Sequence, residues 1–379
     1  MARDPGLLAE CQELVHTLRR HATLASLRGD PDWPALDRRL RAVLSTIRPL
    51  SPEREAPPPR DPERVRAVHW NIEHGNWYPR VEQAFRSHPE LINPDLVSLN
   101  ETDLGMARAA NRDVAFDLAA ALGLHGAWAP LFLETTHGRD DDAKEAAGLG
   151  NQESLFGLAI LSRWPIREAR IVELGSTQQL QFDTEGMYGR HIALAATIER
   201  PRAPFVFVTV HLDVHRTRAN RAQQMRRLTE ALGGESRPLI LAGDFNSHTF
   251  DRGRVWNAIE AALVLSALPG GVVRRRLLWP DLHPAHEPLF DALRDAELEW
   301  ERYIDRKPTL RLRFSRVPEV RGTVGAIAAR ILSWAEQRGQ LRLDWFAGRG
   351  WSEGRGATVS GLDGPGLASD HAPLVAEFW

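Results

Sequence analysis

Short apolar runs that end in one polar residue recur along the chain, and they constrain its fold more than any other feature. The runs are about four to eight residues long and rich in β-branched or aliphatic side chains, which is typical of buried strands. The polar residues that close or directly follow them are Asn71, Glu101, His211, Asp244, Asn246 and Asp344. Because a sheet fixes its strand ends while the adjoining loops leave room for a ligand, we expect these side chains to meet at one edge.

Two adjacent polar residues near the end of the sequence extend this pattern. Asp370 and His371 immediately precede a short apolar run and are followed by Pro373. An acid beside an imidazole can hold a metal-bound or phosphate-bound group with one side chain and polarise it with the other. The same dipeptide is also common in solvated turns, so its interpretation depends on the other strand ends.

The composition is that of an ordinary globular protein. The chain has 379 residues, of which 43% are hydrophobic and 26% charged, and it is long enough to bury a large core.

The sequence shows neither a signal-peptide pattern nor an uncharged apolar stretch of about eighteen residues, so we expect a cytoplasmic protein without a transmembrane segment. The single cysteine, Cys11, excludes an internal disulfide and lies on the apolar stripe of a predicted helix. No protein partner can be inferred.

The pattern of apolar residues predicts three parts. Residues 1–47 read as a helical hairpin, with helices over Leu7 to Arg19 and Leu36 to Ile47. Residues 48–63 contain six prolines and read as a semi-rigid linker. Residues 64–379 form the main domain, in which apolar runs alternate with amphipathic stretches, and this order predicts a mixed α/β fold.

Residues 250–340 interrupt that alternation with an irregular, helix-rich interval. Such a long interval between two strands usually carries specificity, so we expect it on the substrate side. The predicted helices inside it cover Arg254 to Leu265, Leu289 to Trp300 and Val324 to Gln337.

Charge is balanced overall but not locally. The net charge is only −2, which argues against a protein that coats nucleic acid through bulk electrostatics. From Arg302 to Arg342, however, there are ten basic and three acidic residues, and Arg311 and Arg313 would share one face of a strand. This surplus of basic residues would favour binding of a polyanion such as nucleic acid. It is equally compatible with a compositional bias, because nearly all basic residues of the chain are arginines.

Together, the motifs resemble those of the endonuclease/exonuclease/phosphatase superfamily, the DNase I-like phosphoesterases, over roughly Arg64 to Trp379. The stretches that carry the resemblance are, in order, Trp-Asn-Ile-Glu-His-Gly, Leu-Asn-Glu, Leu-Ala-Ile-Leu-Ser-Arg-Trp-Pro-Ile, Gly-Arg-His-Ile-Ala, Val-His-Leu, Gly-Asp-Phe-Asn, Leu-Asp-Trp and Ser-Asp-His-Ala-Pro. The resemblance implies a four-layer α/β sandwich, in which two packed β-sheets are flanked by helices. It also implies a site at one edge that depends on Mg²⁺ or Mn²⁺.

Carried over by position, the resemblance makes Glu101 the principal metal ligand, with Asn71 beside it and Asp370 as a further or water-mediated ligand. Mg²⁺ suits this set, because it prefers oxygen ligands and usually takes only one or two carboxylates.

The same resemblance assigns catalytic roles to five residues. Asp244 and Asn246 would orient the attacking water and the phosphate, while His211 and His371 would flank the phosphorus. Asp344 would hold the imidazole of His371, which fixes its tautomer and raises its basicity.

Four other positions have weaker interpretations. Glu153 is a candidate partner for His211 on the strength of its approximate location. His69 and His74 read as packing or loop residues, and Asp140 to Asp142 as a solvated loop.

The leading hypothesis is a metal-dependent phosphodiesterase or nuclease that cleaves nucleic acid by in-line attack of an activated water. The first alternative is the same chemistry on a small phosphorylated metabolite or a phospholipid head group. The second is an inactive binding module that docks a partner through the N-terminal hairpin.

Overall fold

The computed structural model describes residues 4–138, 146, 148–175, 178–252, 255–282, 284–311, 334, 336–364 and 366–379. Its strands are β1 (Arg48–Leu50), β2 (Val65–Asn71), β3 (Leu96–Leu104), β4 (His125–Glu134), β5 (Leu155–Ser162), β6 (Ile166–Gly175), β7 (Met187–Gly189), β8 (His191–Ile198), β9 (Phe205–His211), β10 (Leu239–Asp244), β11 (Leu310–Arg311), β12 (Gln340–Leu341), β13 (Asp344–Arg349), β14 (Gly354–Thr358) and β15 (Leu374–Phe378). Its helices are α1 (Pro5–Leu18), α2 (Leu24–Arg28), α3 (Trp33–Leu44), α4 (Tyr78–Ser87), α5 (Val114–Leu122), α6 (Gln178–Glu185), α7 (Arg218–Ala231), α8 (Val255–Ala267), α9 (Gly270–Leu278) and α10 (Leu289–Asp295).

Three features discussed from the sequence fall partly or wholly outside this range. Arg313 and Asp140 to Asp142 lie outside the described residues, as does most of the predicted helix from Val324 to Gln337.

Two sheets form the centre of the molecule. The first has the strand order β1-β4-β5-β3-β2-β15-β14, with β7 paired to β4, and the second has the order β13-β10-β9-β8-β6. In the second sheet β9 and β10 are parallel, whereas β13 runs antiparallel to β10. The end of β9, the end of β10 and the start of β13 therefore lie at the same edge.

Helices cover the outer faces of both sheets. Apolar side chains such as Ile160, Leu194, Phe207 and Phe346 fill the space between the sheets. Helices α4 and α5 pack on the first sheet, and α7 and α10 on the second. Every residue of β5 is buried, because both of its faces are covered. The predicted four-layer α/β sandwich is confirmed. No helix of the described residues is both long and apolar enough to cross a membrane.

The N-terminal helices share the core of the first sheet. Helices α1 and α3 correspond to the two predicted helices, and the short helix α2 lies between them. Cys11 and Leu14 are fully buried in the same apolar cluster as Trp128 of β4. Residues 48–50, which the sequence analysis assigned to the linker, pair with β4 as an edge strand, a position where Pro49 is tolerated because an edge strand does not need every N–H.

The helix-rich interval has a small core of its own. Leu265 of α8 and Leu277 of α9 pack with Leu341 and Leu343, which directly precede β13. Helix α9 was not predicted, and α10 ends at Asp295 rather than Trp300. This small core of described residues thus lies next to the sheet edge where β13 begins.

Candidate functional site

Strand pairing in the second sheet brings three of the predicted site residues together. Asp244, the last residue of β10, lies beside His211, the last residue of β9. Asp344 is also in register with Asp244, although it begins its strand instead of ending one. Antiparallel pairing explains this difference, because it turns the start of β13 toward the edge where β10 ends.

The first sheet contributes Asn71 at the end of β2 and Glu101 from within β3. The sequence pattern placed Glu101 at a strand end, but β3 continues to Leu104 through an irregularity in its pairing with β5 between Leu99 and Thr102. Glu101 has a φ of 54°, a left-handed conformation that is unusual for a residue other than glycine. Such bulges re-aim side chains near functional sites, and the Glu101 side chain is 20% exposed at the site.

Glu101 is surrounded by groups that favour its ionised form. Asn71 Nδ2 donates a hydrogen bond of 3.0 Å to Glu101 Oε1, while the Nε2 atoms of His74 and His211 lie 3.4 and 3.9 Å from its carboxylate oxygens. Burial alone would raise the pKa of Glu101, but His74, His211 and the Asn71 hydrogen bond lower it to about 2. Glu101 is therefore an anion at neutral pH.

Asp344 lies between two histidines. Its Oδ2 is 2.8 Å from His371 Nδ1, and its Oδ1 is 3.0 Å from His69 Nε2. Although burial would raise the pKa of Asp344, His371 and His69 hold it well below its usual range. Burial likewise opposes protonation of His371, but Asp344 raises the pKa of His371 well above its usual value. At neutral pH we therefore expect an imidazolium at His371.

Asp244 occupies the centre of the site. Its Oδ1 accepts the Asn246 N–H at 2.8 Å, and its Oδ2 accepts Asn71 Nδ2 at 3.3 Å. The same Oδ2 lies 3.7 Å from His211 Nε2 and 3.8 Å from His371 Nε2. Both distances exceed a direct hydrogen bond, as expected where a water or a phosphate oxygen bridges polar groups. Burial raises the pKa of Asp244.

Asp370 and Glu153 fit their sequence interpretations less well. Asp370 is half-buried next to His371 and adds to the negative charge around that ring, but it does not line the cavity described below. Glu153 is buried against Gly105, where no side chain competes for the space. Among the described residues, the buried Nδ1 of His211 has no hydrogen-bond partner, and the pairing of Glu153 with His211 stays a prediction.

A polar network between the two sheets was not predicted. His69 Nδ1 lies 2.9 Å from Ser98 Oγ, which lies 2.7 Å from Thr209 Oγ1 in the other sheet. Asn100 Nδ2 donates to Thr209 Oγ1, and Asn100 Oδ1 accepts the backbone N–H of Asp244 at 2.8 Å. The only sequence signal for this network is a polar residue inside each apolar run. His69, interpreted as a packing residue, thus also orients Asp344.

A second charged cluster adjoins Glu101 and includes His74, which the sequence placed in a loop. His74 Nδ1 lies 3.4 Å from Asp103 Oδ1. Arg108 donates two hydrogen bonds to Asp103, of 2.7 and 2.9 Å, and two to Glu134. Burial and Arg108 would lower the pKa of His74, but Glu101 and Asp103 raise it to about 9. His74 is thereby fixed between the carboxylates of Glu101 and Asp103.

These residues open into a cavity of about 340 Å³. Glu101, His211, Asp244, Asn246 and His371 line one side of it. Much of the remaining wall is apolar and consists of Leu131, Phe132, Phe156, Met187, Phe250, Leu310, Leu341 and Leu343.

Comparison with known proteins identifies the family. The model of the Endonuclease/Exonuclease/phosphatase family matches residues 68–371, which include every predicted site residue. No curated protein matches the chain.

Several solved structures are similar to the chain. An endonuclease/exonuclease/phosphatase from Beutenbergia cavernae is 18% identical, with a TM-score of 0.50 over 83% of this chain and 71% of the other. Sphingomyelinase C from Streptomyces griseocarneus is 14% identical, with a TM-score of 0.47 over 83% and 99%. The human Nocturnin catalytic domain is 16% identical, with a TM-score of 0.44 over 88% and 97%. From the family match, which covers most of its length, the chain belongs to the endonuclease/exonuclease/phosphatase family.

Proposed function

We propose that the protein is a divalent-metal-dependent phosphoester hydrolase that uses water as its nucleophile. Membership in the family supports hydrolysis of phosphoester bonds. The observation that carries the mechanism is the position of Asp244, whose Oδ2 lies 3.7 Å from His211 Nε2 and 3.8 Å from His371 Nε2. A carboxylate between two imidazoles, near the anionic Glu101, suits the orientation of a water molecule against a phosphate.

The donors around Glu101 fit Mg²⁺ or Mn²⁺. Glu101 offers an ionised carboxylate that is partly exposed in the cavity, and such ions prefer oxygen ligands with few protein carboxylates. Asn71 donates to Glu101, and its Oδ1 accepts the Glu73 N–H, so its clearest contribution is to position that carboxylate. Asp370 as a further ligand stays a prediction. When bound, the ion would stabilise negative charge on the phosphate oxygens.

The protein side chains then have distinct tasks. Asp244 accepts a proton from the attacking water as the water oxygen bonds to phosphorus, the bond from phosphorus to the leaving alkoxide breaks, and the alkoxide takes up a proton from solvent. Asn246 is held close to Asp244 by a hydrogen bond from its Nδ2 to the Leu212 carbonyl. His371, charged through its contact with Asp344, donates a hydrogen bond to a phosphate oxygen. His211 stabilises the same group from the opposite side of Asp244.

For the substrate, we favour a small phosphorylated metabolite or a phospholipid head group over nucleic acid. The cavity is compact and largely apolar. Several basic residues of the Arg302 to Arg342 interval are already engaged, since Arg302 pairs with Glu299, Arg306 with Asp281 and Arg342 with Asp305. Among the described residues of the interval, the exposed Arg311 is the best remaining support for a polyanion.

The inactive binding module is the weakest alternative. Glu101, His211, Asp244 and His371 all line one cavity, and Glu101, Asp244 and His371 are positioned by hydrogen bonds with Asn71, Asn246 and Asp344. A binding module would not need this arrangement. A cytoplasmic location stays a prediction from the sequence.

A substrate panel tests the proposal. The purified enzyme would be assayed with Mg²⁺ or Mn²⁺ on p-nitrophenyl phosphate, bis-p-nitrophenyl phosphate, sphingomyelin, single-stranded and duplex DNA, and RNA. We expect hydrolysis of one or more small esters or the lipid, with nucleic acids cleaved more slowly. Faster cleavage of DNA or RNA, together with loss of that cleavage in Arg311→Ala, would support the nuclease instead. Inactivity on the whole panel would contradict the proposed chemistry.

A further inference from the structure

Part of the cavity wall is formed by α6 and the strands that follow it. Gln181 and Glu185 of α6, Met187 of β7 and His191 of β8 all line the cavity. Glu185 lies one helical turn after Gln181, so both side chains project from the same face. This wall carries polar groups for which the mechanism above has no task.

The hydrogen bonds of His191 fix the orientation of the Gln181 amide. His191 Nδ1 lies 3.3 Å from the backbone carbonyl of His211, and a carbonyl can only accept, so Nδ1 carries the proton. Burial lowers the pKa of His191, which leaves Nε2 as an acceptor in the neutral ring. Gln181 Nε2 lies 3.1 Å from this atom and therefore donates to it, which directs Gln181 Oε1 away from the ring.

Among the described residues, none donates a hydrogen bond to Gln181 Oε1. Gln181 is only 2% exposed, and its Oε1 is buried. A buried acceptor without a donor costs free energy, and a group in the cavity can supply the missing donor. One turn away, Glu185 Oε1 lies 3.2 Å from His215 Nε2, so that carboxylate is already paired with a histidine of the cavity wall.

Helix α6 is held in place by the N-terminal helices. Asp183 Oδ1 accepts the backbone N–H of Leu24 at 2.6 Å. Tyr188, just after the helix, makes edge contacts with Phe182 of α6 and Trp33 of α3. The residues that precede the family match thus fix the position of Gln181 relative to the site, as specificity requires.

We propose that Gln181 is a specificity residue, which accepts a hydrogen bond from a hydroxyl group on the organic part of the phosphoester substrate. The hydroxyl group supplies the donor that Oε1 lacks among the described residues. His191 contacts both the Gln181 amide and the backbone of His211. Gln181 would therefore bind the hydroxyl group close to the phosphate. This inference rests on the proposed phosphoester hydrolysis.

The test compares substrates that differ only in hydroxyl groups. The p-nitrophenyl phosphodiesters of glycerol and of propanol form one matched pair, and glycerol 3-phosphate and propyl phosphate form another. We expect the wild-type enzyme to favour the glycerol ester in kcat/KM by about tenfold or more. In Gln181→Leu, kcat/KM should fall for the glycerol ester and not for the propanol ester, so that the preference disappears. For bis-p-nitrophenyl phosphate, kcat/KM should stay within about twofold of the wild-type value. Glu230→Gln, at an exposed position of α7, is the control that should keep the preference.

The outcomes separate this inference from the proposed function. Equal losses on both esters in Gln181→Leu would mean that Gln181 only supports His191, and a wild-type enzyme without preference would likewise overturn the inference. A stronger preference for ethanolamine phosphate than for glycerol 3-phosphate would mean that the donor to Gln181 is an ammonium group. That result would also overturn the inference. If the wild type with metal hydrolyses none of these esters, the proposed function fails instead.

Discussion

Asp344 shows how a single buried carboxylate can set the charge of a catalytic group. It contacts His69 from the first sheet and His371 from the loop before β15. A buried charge is stable only when it is paired and hydrogen-bonded, and Asp344 meets both conditions. The contact with Asp344 raises the pKa of His371, so a structural ion pair also sets the charge of the group that we propose binds phosphate.

The first prediction concerns this pair. The folded-state pKa of His371 is raised, so the charged form persists at neutral pH and is lost as the pH rises through that value. Asp344→Asn removes the charge that raises it. The alkaline limb of the kcat/KM profile should therefore move to lower pH.

A matched control removes a surface charge instead. Asp291, which is half-exposed and pairs with Arg294, would be changed to asparagine, and this variant should keep the wild-type profile. An alkaline limb that does not move in Asp344→Asn would show that His371 does not act through its charged form.

At the scale of single elements, β9 and β10 must approach closely to place His211 beside Asp244. Gly243 makes this possible, because a Cβ at this position would overlap the backbone carbonyl of Val210 in β9. A side chain at this position would push the two strands apart and so increase the spacing of His211 and Asp244.

The second prediction follows from that spacing. Gly243→Ala should lower the free energy of unfolding by about 1–3 kcal/mol and should also lower kcat, since a small displacement of catalytic groups is costly. Chemical denaturation and steady-state kinetics measure the two effects. Gly234→Ala is the control, because nothing lies within 4 Å of a Cβ added there. Wild-type kcat in Gly243→Ala would mean that the strands tolerate a wider spacing.

The apolar runs were sufficient to predict the strands of both sheet centres and their polar ends, because burial on two faces leaves a clear pattern. They could not predict that Asp344 begins its strand or that β3 continues past Glu101, since pairing direction and bulges depend on neighbours distant in sequence. Helix α6 was missed because its sequence, Gln-Gln-Leu-Gln-Phe-Asp-Thr-Glu, has almost no apolar stripe.

For the molecule as a whole, the N-terminal helices belong to the structural core. Leu14 and Leu40 are fully buried in the cluster that also contains Trp70 and Leu99 of the first sheet. Because this cluster is continuous, the helices and the sheet should unfold together.

The third prediction tests that continuity. Leu14→Ala should lower the free energy of unfolding by about 2–5 kcal/mol and shift a single unfolding transition, observed both by tryptophan fluorescence and by loss of activity. Leu263→Ala is the control, because this leucine is 60% exposed and should change stability little. The contrary result is two separate unfolding transitions in Leu14→Ala, with activity lost only in the transition that the substitution does not shift. It would show that the helices form an independent unit.

The central claim is that Glu101 holds a metal ion with which Asp244 activates water. The most direct measurement is the titration of chelator-treated enzyme with Mn²⁺, following hydrolysis of bis-p-nitrophenyl phosphate. We expect no activity without metal and saturating activity in the wild type. Glu101→Gln should need at least about tenfold more metal. Asp244→Asn should saturate at the wild-type concentration with kcat lower by about two orders of magnitude, and Glu230→Gln, a surface control, should match the wild type. Full activity of the wild type in excess chelator would contradict the account.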